Sequence, residues 1–403
     1  MPLPKTICML PWISIETSPI GSVRPCCLAH NEITKLTGEK YDLNIDPLST
    51  IYRSEYMQNL RQQFRNGDKP ATCKRCWDEE DAGRTSKRMH TQVRFKHEIA
   101  NVDFDNDNPD QLWFIDLKLG NICNLKCRIC GSWSSSSWAQ EEIAYIEHIP
   151  SRKDHMAYTW LKQGQWPRNE NSNTFWTDMR ELLPQVRYFE FTGGEPFMIP
   201  EHFELLQYAV DQGYAKNIEI HYNTNGTQWP KKYIHLWQEF KYVEVAFSID
   251  NVGARFEYER FGAKWDDVEA NIAKFRTLRD SVNNITLQVC MTINIQNVYY
   301  LEELCEWASK QTFNFDYFNM LHDPETQCIG KMPQTAKDIV IAKLESGTFT
   351  HKHKLEVDKI IQFIKNGIPG NTDKFLFEMH RTDKFRKQSF LTTHYEIAKA
   401  MGY

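Results

Sequence analysis

Most of the chain's chemistry-bearing thiols fall in two groups near its N-terminus: Cys8, Cys26, Cys27, Cys73 and Cys76, then Cys123, Cys127 and Cys130. The second group reads Gly120-Asn-Ile-Cys-Asn-Leu-Lys-Cys-Arg-Ile-Cys130, a C-x3-C-x2-C spacing. Three thiolates this close can hold three irons of a cubane [4Fe–4S] cluster and leave the fourth iron open to a small-molecule ligand. A structural zinc would ask for four protein ligands. In the first group, Cys73 and Cys76 with two distant thiols make a four-ligand set, and spacing alone leaves zinc and [4Fe–4S] both open. Cys290, Cys305 and Cys328 are scattered; the first two read as core packing.

The elements that must position these thiols follow a regular pattern. Ile115, Leu117 and Leu119 alternate with Asp116 and Lys118, a strand signal that ends just before the cysteine motif. Further strands are expected over 188–192, 218–222, 242–249, 285–293 and 313–321, all rich in aromatic and β-branched residues. Helical spacing separates them, as in Tyr233, Leu236, Trp237 and Phe240, or Trp265, Val268, Ile272 and Phe275. About six strand–helix alternations imply parallel strands with crossover helices, in a doubly wound sheet or a barrel. The motif then sits on a loop after a strand's C-terminal end, where barrel enzymes place their chemistry. Residues 1–88 carry the first thiol group and few repeating elements. The acidic stretch DFDNDNPD lies in a linker, 89–110, and residues 147–173 read as an insertion. Beyond 325 the pattern is helical, as in Val357, Ile360, Ile361 and Ile364.

Bulk composition narrows the field. The chain has 403 residues, a formal net charge of −5 and 11 cysteines. The absence of a basic excess argues against nucleic acid as a partner. No apolar run reaches the ~18 residues that span a bilayer, and the N-terminus lacks a signal-peptide pattern. The expected location is cytoplasmic, where cysteines serve as metal ligands or core thiols rather than disulfides. His351 and His353, in a HKHK run, read as solvated.

Taken together, the motifs resemble the radical SAM (S-adenosylmethionine) superfamily. Cys123, Cys127 and Cys130 take the form C-x3-C-x-Φ-C, with Ile129 as the apolar residue. Gly193-Gly194-Glu195-Pro196 is similar to that family's GGE motif. Asn223-Thr-Asn-Gly226 ends the next strand, and Ser248 and Asp250 end the one after. With Arg260-Phe-Gly262 they are similar to the S-x-D…R-x-G stretch of the peptide-modifying branches. The likeness covers most of 111–325. The N-terminal order Cys8-Met-Leu-Pro-Trp12, Gly21-Ser-Val-Arg-Pro-Cys26-Cys27, Cys73-Lys-Arg-Cys76-Trp77 resembles the auxiliary-cluster segment of SPASM and twitch domains. It departs from SPASM in preceding the barrel and in having five cysteines. His380-Arg-Thr-Asp383-Lys-Phe-Arg386 resembles a tail element of the same proteins.

The resemblance implies an α/β fold: a partial (β/α)6 TIM-like barrel over 111–325, an N-terminal auxiliary-cluster module and a helical extension over 326–403. It implies an SAM-binding [4Fe–4S] cluster on Cys123, Cys127 and Cys130. A second, auxiliary [4Fe–4S] cluster would sit on Cys8, Cys26, Cys73 and Cys76, with Cys26 preferred to Cys27 and a structural zinc as the rival. The SAM ammonium would meet Glu195 and the backbone of Gly193 and Gly194. Its carboxylate would meet Arg260, its ribose Ser248, Asp250 or Asn223, and its adenine Ile129. The implied reaction is reductive SAM cleavage to a 5′-deoxyadenosyl radical that takes hydrogen from a substrate. A flavodoxin or ferredoxin would supply the electron and a peptide or protein side chain would be the substrate. Alternatives are the same chemistry on a small metabolite or nucleotide, and an electron-transfer or binding module that does not cleave SAM. Asp316 and Tyr317 are candidates for the barrel cavity.

Overall fold

The computed structural model describes residues 3–81, 83–146, 174–315 and 318–403. The insertion at 147–173 and the pair Asp316 and Tyr317 lie outside them. Among the described residues the strands are, in chain order, β1 Ser14–Thr17, β2 Val23–Arg24, β3 Phe114–Lys118, β4 Lys126–Cys127, β5 Tyr188–Thr192, β6 Glu219–Thr224, β7 Tyr242–Phe247, β8 Arg260–Phe261, β9 Ile285–Val289, β10 Met291–Ile293 and β11 Phe318–Met320. The chain divides into two compact units. One comprises Met1–Cys123, Ser132–Tyr222 and Pro230–Val243; the other comprises Asn124–Gly131, Asn223–Trp229 and Glu244–Tyr403.

In the first unit the strand order is β2-β1-β3-β5-β6. β1 pairs antiparallel with β2, while β1–β3, β3–β5 and β5–β6 are parallel. β1 falls in the segment where sequence reading expected few regular elements. Four residues are too short for an alternation signal, and only pairing with β3 makes them a strand. One face of this sheet is aromatic. Phe191 stacks on Tyr222 at 5.1 Å and on Phe189 at 5.4 Å, with His202 at 4.6 Å. Tyr222 in turn meets Trp237 at 5.4 Å. The opposite face carries Tyr188, Glu190 and Thr192 of β5, because successive side chains alternate. The acidic 103–110 stretch is tied to this unit. Arg61 donates to the carbonyls of Pro11, Tyr52 and Asp107, and Arg65 bonds Asp107.

In the second unit β7 neighbours β9, β10 pairs parallel with β11, and β4 pairs antiparallel with β8. The expected strand over 285–293 is interrupted at Cys290, whose amide donates to Phe247 O. Helices fill the C-terminal part as expected: Gln334–Ser346, His351–Asn366, Thr372–Arg386 and Tyr395–Ala400. His353 corrects the solvated reading of HKHK. It is buried and its Nε2 lies 2.7 Å from Phe315 O, because helical periodicity turns it inward with Val357 and Ile360.

The aromatic face sets a stability test. Phe191→Ala is expected to cost about 3–5 kcal/mol, since a large buried ring is replaced by a cavity. Denaturant unfolding of the anaerobically purified protein measures it, and a change below about 1 kcal/mol would contradict the packing described.

Candidate active site and iron–sulfur centres

In the first unit, β3 and β5 lie side by side in parallel register, Lys118 opposite Thr192. Their loops therefore leave from adjacent points. The β3 loop runs to Cys123, and the β5 loop is Gly193-Gly194-Glu195. Both glycines have positive φ, 71° and 49°. A Cβ on Gly193 would lie 2.9 Å from the Lys118 Cβ, and one on Gly194 would collide with the Ile122 carbonyl. Only glycine permits this approach. Glu195 N then donates to Ile122 O at 2.8 Å, one residue before Cys123. The Glu195 side chain is fully buried and accepts from Phe197 N at 3.2 Å. Ser137 donates to Cys123 O at 2.8 Å.

The second unit holds Cys127, Ile129, Cys130, Asn223, Ser248, Asp250 and Arg260. The β4–β8 ribbon sets Cys127 opposite Arg260. Gly262, at φ 105°, keeps the turn compact; a Cβ there would meet Asn124 O at 3.2 Å. Arg260 Nη1 lies 3.6 Å from Cys127 Sγ, and its Nη2 donates to Asp250 at 2.6 Å. Asp250 also accepts from Thr292 N at 2.9 Å. Sequence reading gave Asp250 and Arg260 separate tasks, but the fold makes them a buried ion pair. The Cys127 thiol is pulled down to about 7, by its hydrogen bond with Cys130 and, against burial, by Arg260. Cys130 N donates to Cys127 O at 3.0 Å. Ser248 N donates to Thr224 O at 2.8 Å, and Ile129 is half-buried. Asn223 Oδ1 is buried and accepts no hydrogen bond among the described residues.

The N-terminal thiols of the first unit share one electrostatic neighbourhood. Burial, then Cys73 and Cys76, raise the Cys8 thiol's pKa; burial, Cys27, Cys8 and Cys76 raise that of Cys26. Cys73 is raised by burial, Cys26 and Cys76. Four thiols that oppose one another's ionisation become thiolates together only around a cationic centre. Backbone N–H groups of Leu10, Leu28, Lys87 and Arg88 favour the ionised forms of Cys8, Cys26 and Cys76. This donor set fits an iron–sulfur group. Among the described residues no His, Cys, Asp or Glu group is arranged to hold a single metal ion.

Cys27, which also raises Cys26, has charged neighbours that sequence reading missed. Burial pushes its thiol up to about 12 against Lys87, and its other charged neighbours are Glu190, Asp116 and Glu16. These acids form a line. Register pairs Arg24 with Glu16, Glu16 with Asp116, Asp116 with Glu190 and Glu190 with His221. Glu16 is bound by Arg24 Nε and Nη2, at 2.6 and 2.7 Å, and by Lys118. Lys87 holds Glu190 at 3.0 Å. Burial opposes ionisation of Glu190, but Lys87 and His221 hold its carboxyl down at about 2. Asp116 lacks so close a cation. Lys118 is 3.5 Å away and Thr192 donates at 3.1 Å, so burial pushes its carboxyl up to about 7. Asp116 and Glu190 of this line stand two residues before Lys118 and Thr192, the last residues of β3 and β5. The line's signal in sequence is a charged residue in mid-strand, as in SIET, FIDLK and YFEFT.

Comparison with known proteins gives two family matches. A family model of the radical SAM superfamily matches residues 117–308, and one of the SPASM iron–sulfur cluster-binding domain matches residues 8–77. No curated protein sequence matches the chain. Among solved structures, native anSMEcpe with bound AdoMet is similar at 14% identity, covering 68% of this chain and 67% of that one, with a TM-score of 0.39. Streptococcus suis SuiB bound to S-adenosylmethionine is similar at 12%, covering 82% and 67%, with a TM-score of 0.39. The same protein bound to the precursor peptide SuiA is similar at 15%, covering 58% and 53%, with a TM-score of 0.31. Residues 117–308 thus match the radical SAM superfamily, and residues 8–77 an iron–sulfur cluster-binding domain. More particularly, the chain joins a radical SAM domain to a SPASM segment that precedes it. Its cofactors are an SAM-binding iron–sulfur cluster, SAM itself and auxiliary iron–sulfur in the SPASM segment. Among the described residues no helix is long and apolar enough to cross a membrane.

Asp116 sets a pH test. Its folded value of about 7 lies above the ordinary 3.8. Between those values the folded chain keeps a proton that the unfolded chain has released, so this group's contribution to stability falls as pH rises. Asp116→Asn is expected to flatten that slope between about pH 4 and 7 in denaturant titrations. An unchanged slope would show that Asp116 is ionised in the folded chain.

Proposed function

We propose that the chain cleaves SAM reductively at a [4Fe–4S] cluster held by Cys123, Cys127 and Cys130, and directs the radical at a peptide or protein side chain. The observation that carries this reading is the junction of Ile122 with Gly194 and Glu195. It brings a carboxylate from one motif to the root of the thiol loop of another, more than 70 positions away in sequence. The bound cofactor supplies a 5′-deoxyadenosyl radical able to take hydrogen from an unactivated C–H bond.

The chain's own residues bind and orient. Glu195, with the backbone of Gly193 and Gly194, accepts from the SAM ammonium. Arg260 reaches the SAM carboxylate only with the charge left over from Asp250, so its main part is to hold positive charge at Cys127. Asn223 Oδ1 is an open acceptor for a ribose hydroxyl, with Ser248 and Asp250 as its partners in that task. Ile129 packs against adenine. Cys8, Cys26, Cys73 and Cys76 hold the auxiliary cluster. A protein of the flavodoxin or ferredoxin kind supplies electrons. The peptide substrate is supported by the SPASM segment, since the sequence resemblance ties such segments to peptide-modifying enzymes.

The reaction is tested anaerobically. The reconstituted protein, given dithionite and SAM, is expected to form 5′-deoxyadenosine and to carry about eight irons per chain. Replacing Cys123, Cys127 and Cys130 together by alanine should abolish the nucleoside and leave about four irons. No nucleoside from fully loaded wild-type protein would end the enzyme reading and favour an electron-transfer module.

The auxiliary ligands are tested separately. Cys26→Ala is expected to lose about half of the iron, whereas Cys27→Ala should keep it all. The reverse result would reassign the ligand, and bound zinc in place of the missing iron would make the segment a zinc site.

A further inference from the structure

In the second unit, helix Thr372–Arg386 buries one face and exposes another. The buried face carries Phe375, Met379, Thr382 and Asp383. Two of these reach Arg128, which lies between Cys127 and Cys130. Asp383 accepts from the Arg128 guanidinium, which also lies 3.7 Å over the Tyr258 ring. Met379 Sδ is 3.8 Å from Arg128 Nη1. Tyr258 donates to the same carboxylate at 2.8 Å. The thiol loop of this unit is therefore held directly against the helix. A helix with its side chains is about 10–12 Å across, so the outer face stands roughly that far from the loop.

The outer face has an unusual composition. The solvent side of a surface helix ordinarily carries charged and polar residues. Here Phe377 and Phe385 are 64% and 49% exposed. With 3.6 residues per turn, Lys374, Phe377, Arg381, Lys384 and Phe385 fall on one side of the helix. The Arg381 guanidinium lies 5.6 Å from the Phe377 ring. Lys374, Arg381, Lys384 and the following Lys387 are all exposed, and the exposed acid of this stretch is Asp373. Cations and aromatic rings thus gather on one face of a chain whose net charge is −5. Aromatic residues and arginine are enriched where proteins meet.

We infer that this face is the docking site of an acidic one-electron donor protein of the flavodoxin or ferredoxin kind. Charge complementarity sets the sign of the partner. An acidic protein is repelled by the chain as a whole and drawn to this face, which orients the encounter. The buried side of the same helix sets the partner's task. A donor seated on Phe377 and Phe385 has one helix between its redox group and the loop of Cys127 and Cys130. One electron leaves the donor's reduced cofactor and arrives at the cluster on that loop; no bond forms or breaks. This inference rests on the proposed assignment of Cys127 and Cys130 as cluster ligands.

The test follows anaerobic SAM cleavage by the full-length reconstituted protein, driven by reduced flavodoxin, by reduced ferredoxin or by dithionite, a small reductant that needs no docking face. One variant combines Lys384→Glu with Lys387→Glu, and a second is Phe377→Ser. Each is expected to raise the KM for the protein donor about tenfold while the dithionite-driven rate stays at the wild-type level. Added salt should raise the wild-type KM and move that of the charge-reversed variant much less. An unmoved KM for both protein donors overturns the inference, and so does an equal loss with dithionite. Wild-type protein that responds to dithionite and to neither protein donor overturns it too. In any of these cases, loss of binding to phosphatidylglycerol vesicles or of self-association in the variants would assign the face to a membrane or to a second copy of the chain. Wild-type protein that forms no 5′-deoxyadenosine with dithionite fails the SAM-cleavage reading itself, a result distinct from the others.

Discussion

The site depends on the unslipped parallel pairing of β1, β3, β5 and β6. Because β3 and β5 are in register through all five residues, their C-terminal loops start side by side. One loop leads to Cys123 and the other is Gly193-Gly194-Glu195. A slip of one residue would turn the mid-strand acids to the aromatic face and part the two loops. The two glycines then make the approach close enough for the Ile122 carbonyl to meet the Glu195 amide. Binding chemistry is thus set by backbone geometry before any side chain contributes.

The same register concentrates charge. Three carboxylates stand in neighbouring strands on one buried face, and such a row is tolerated only with cations between its members. Arg24 and Lys118 serve Glu16, and Lys87 serves Glu190. Asp116, between them, keeps the least support and hence the weakest hold on its negative charge. The thiol groups follow a parallel logic. Cys8, Cys26, Cys73 and Cys76 repel one another as thiolates, so a cationic cluster is what their arrangement suits. Cys127 is eased toward ionisation instead, by Cys130 and by arginines from β8 and the C-terminal helix.

Much of this was legible in the sequence because it is local. Cysteine spacing, the Gly-Gly-Glu turn and the strand–helix alternation are each confined to short stretches, and the family matches cover the same segments. The helical C-terminal part was legible for the same reason, through its 3.6-residue period. The errors were also physical. β1 is too short to show a period by itself. His353 looked solvated because its neighbours are lysines, although its helix face is buried. Nor does anything in the sequence tell that a ten-residue excursion brings Asp250 and Arg260 to 2.6 Å.

The amino-acid sequence by itself determined which atoms can do chemistry: two sets of thiols, a glycine pair that admits close backbone approach, and a short list of acids and amides. Covalent spacing and side-chain type suffice for that. Tertiary structure alone decided which of these groups share an environment. It gave Cys26 the company of Cys27, Cys8 and Cys76, and Cys27 that of Lys87 and the acid row, though the two are neighbours in the chain. It also lined up Glu16, Asp116, Glu190 and His221 from four strands and brought Asp383 onto Arg128 across 255 positions. Such pairings depend on strand register and helix docking, which are properties of the whole packed chain and leave no mark in any short stretch of it.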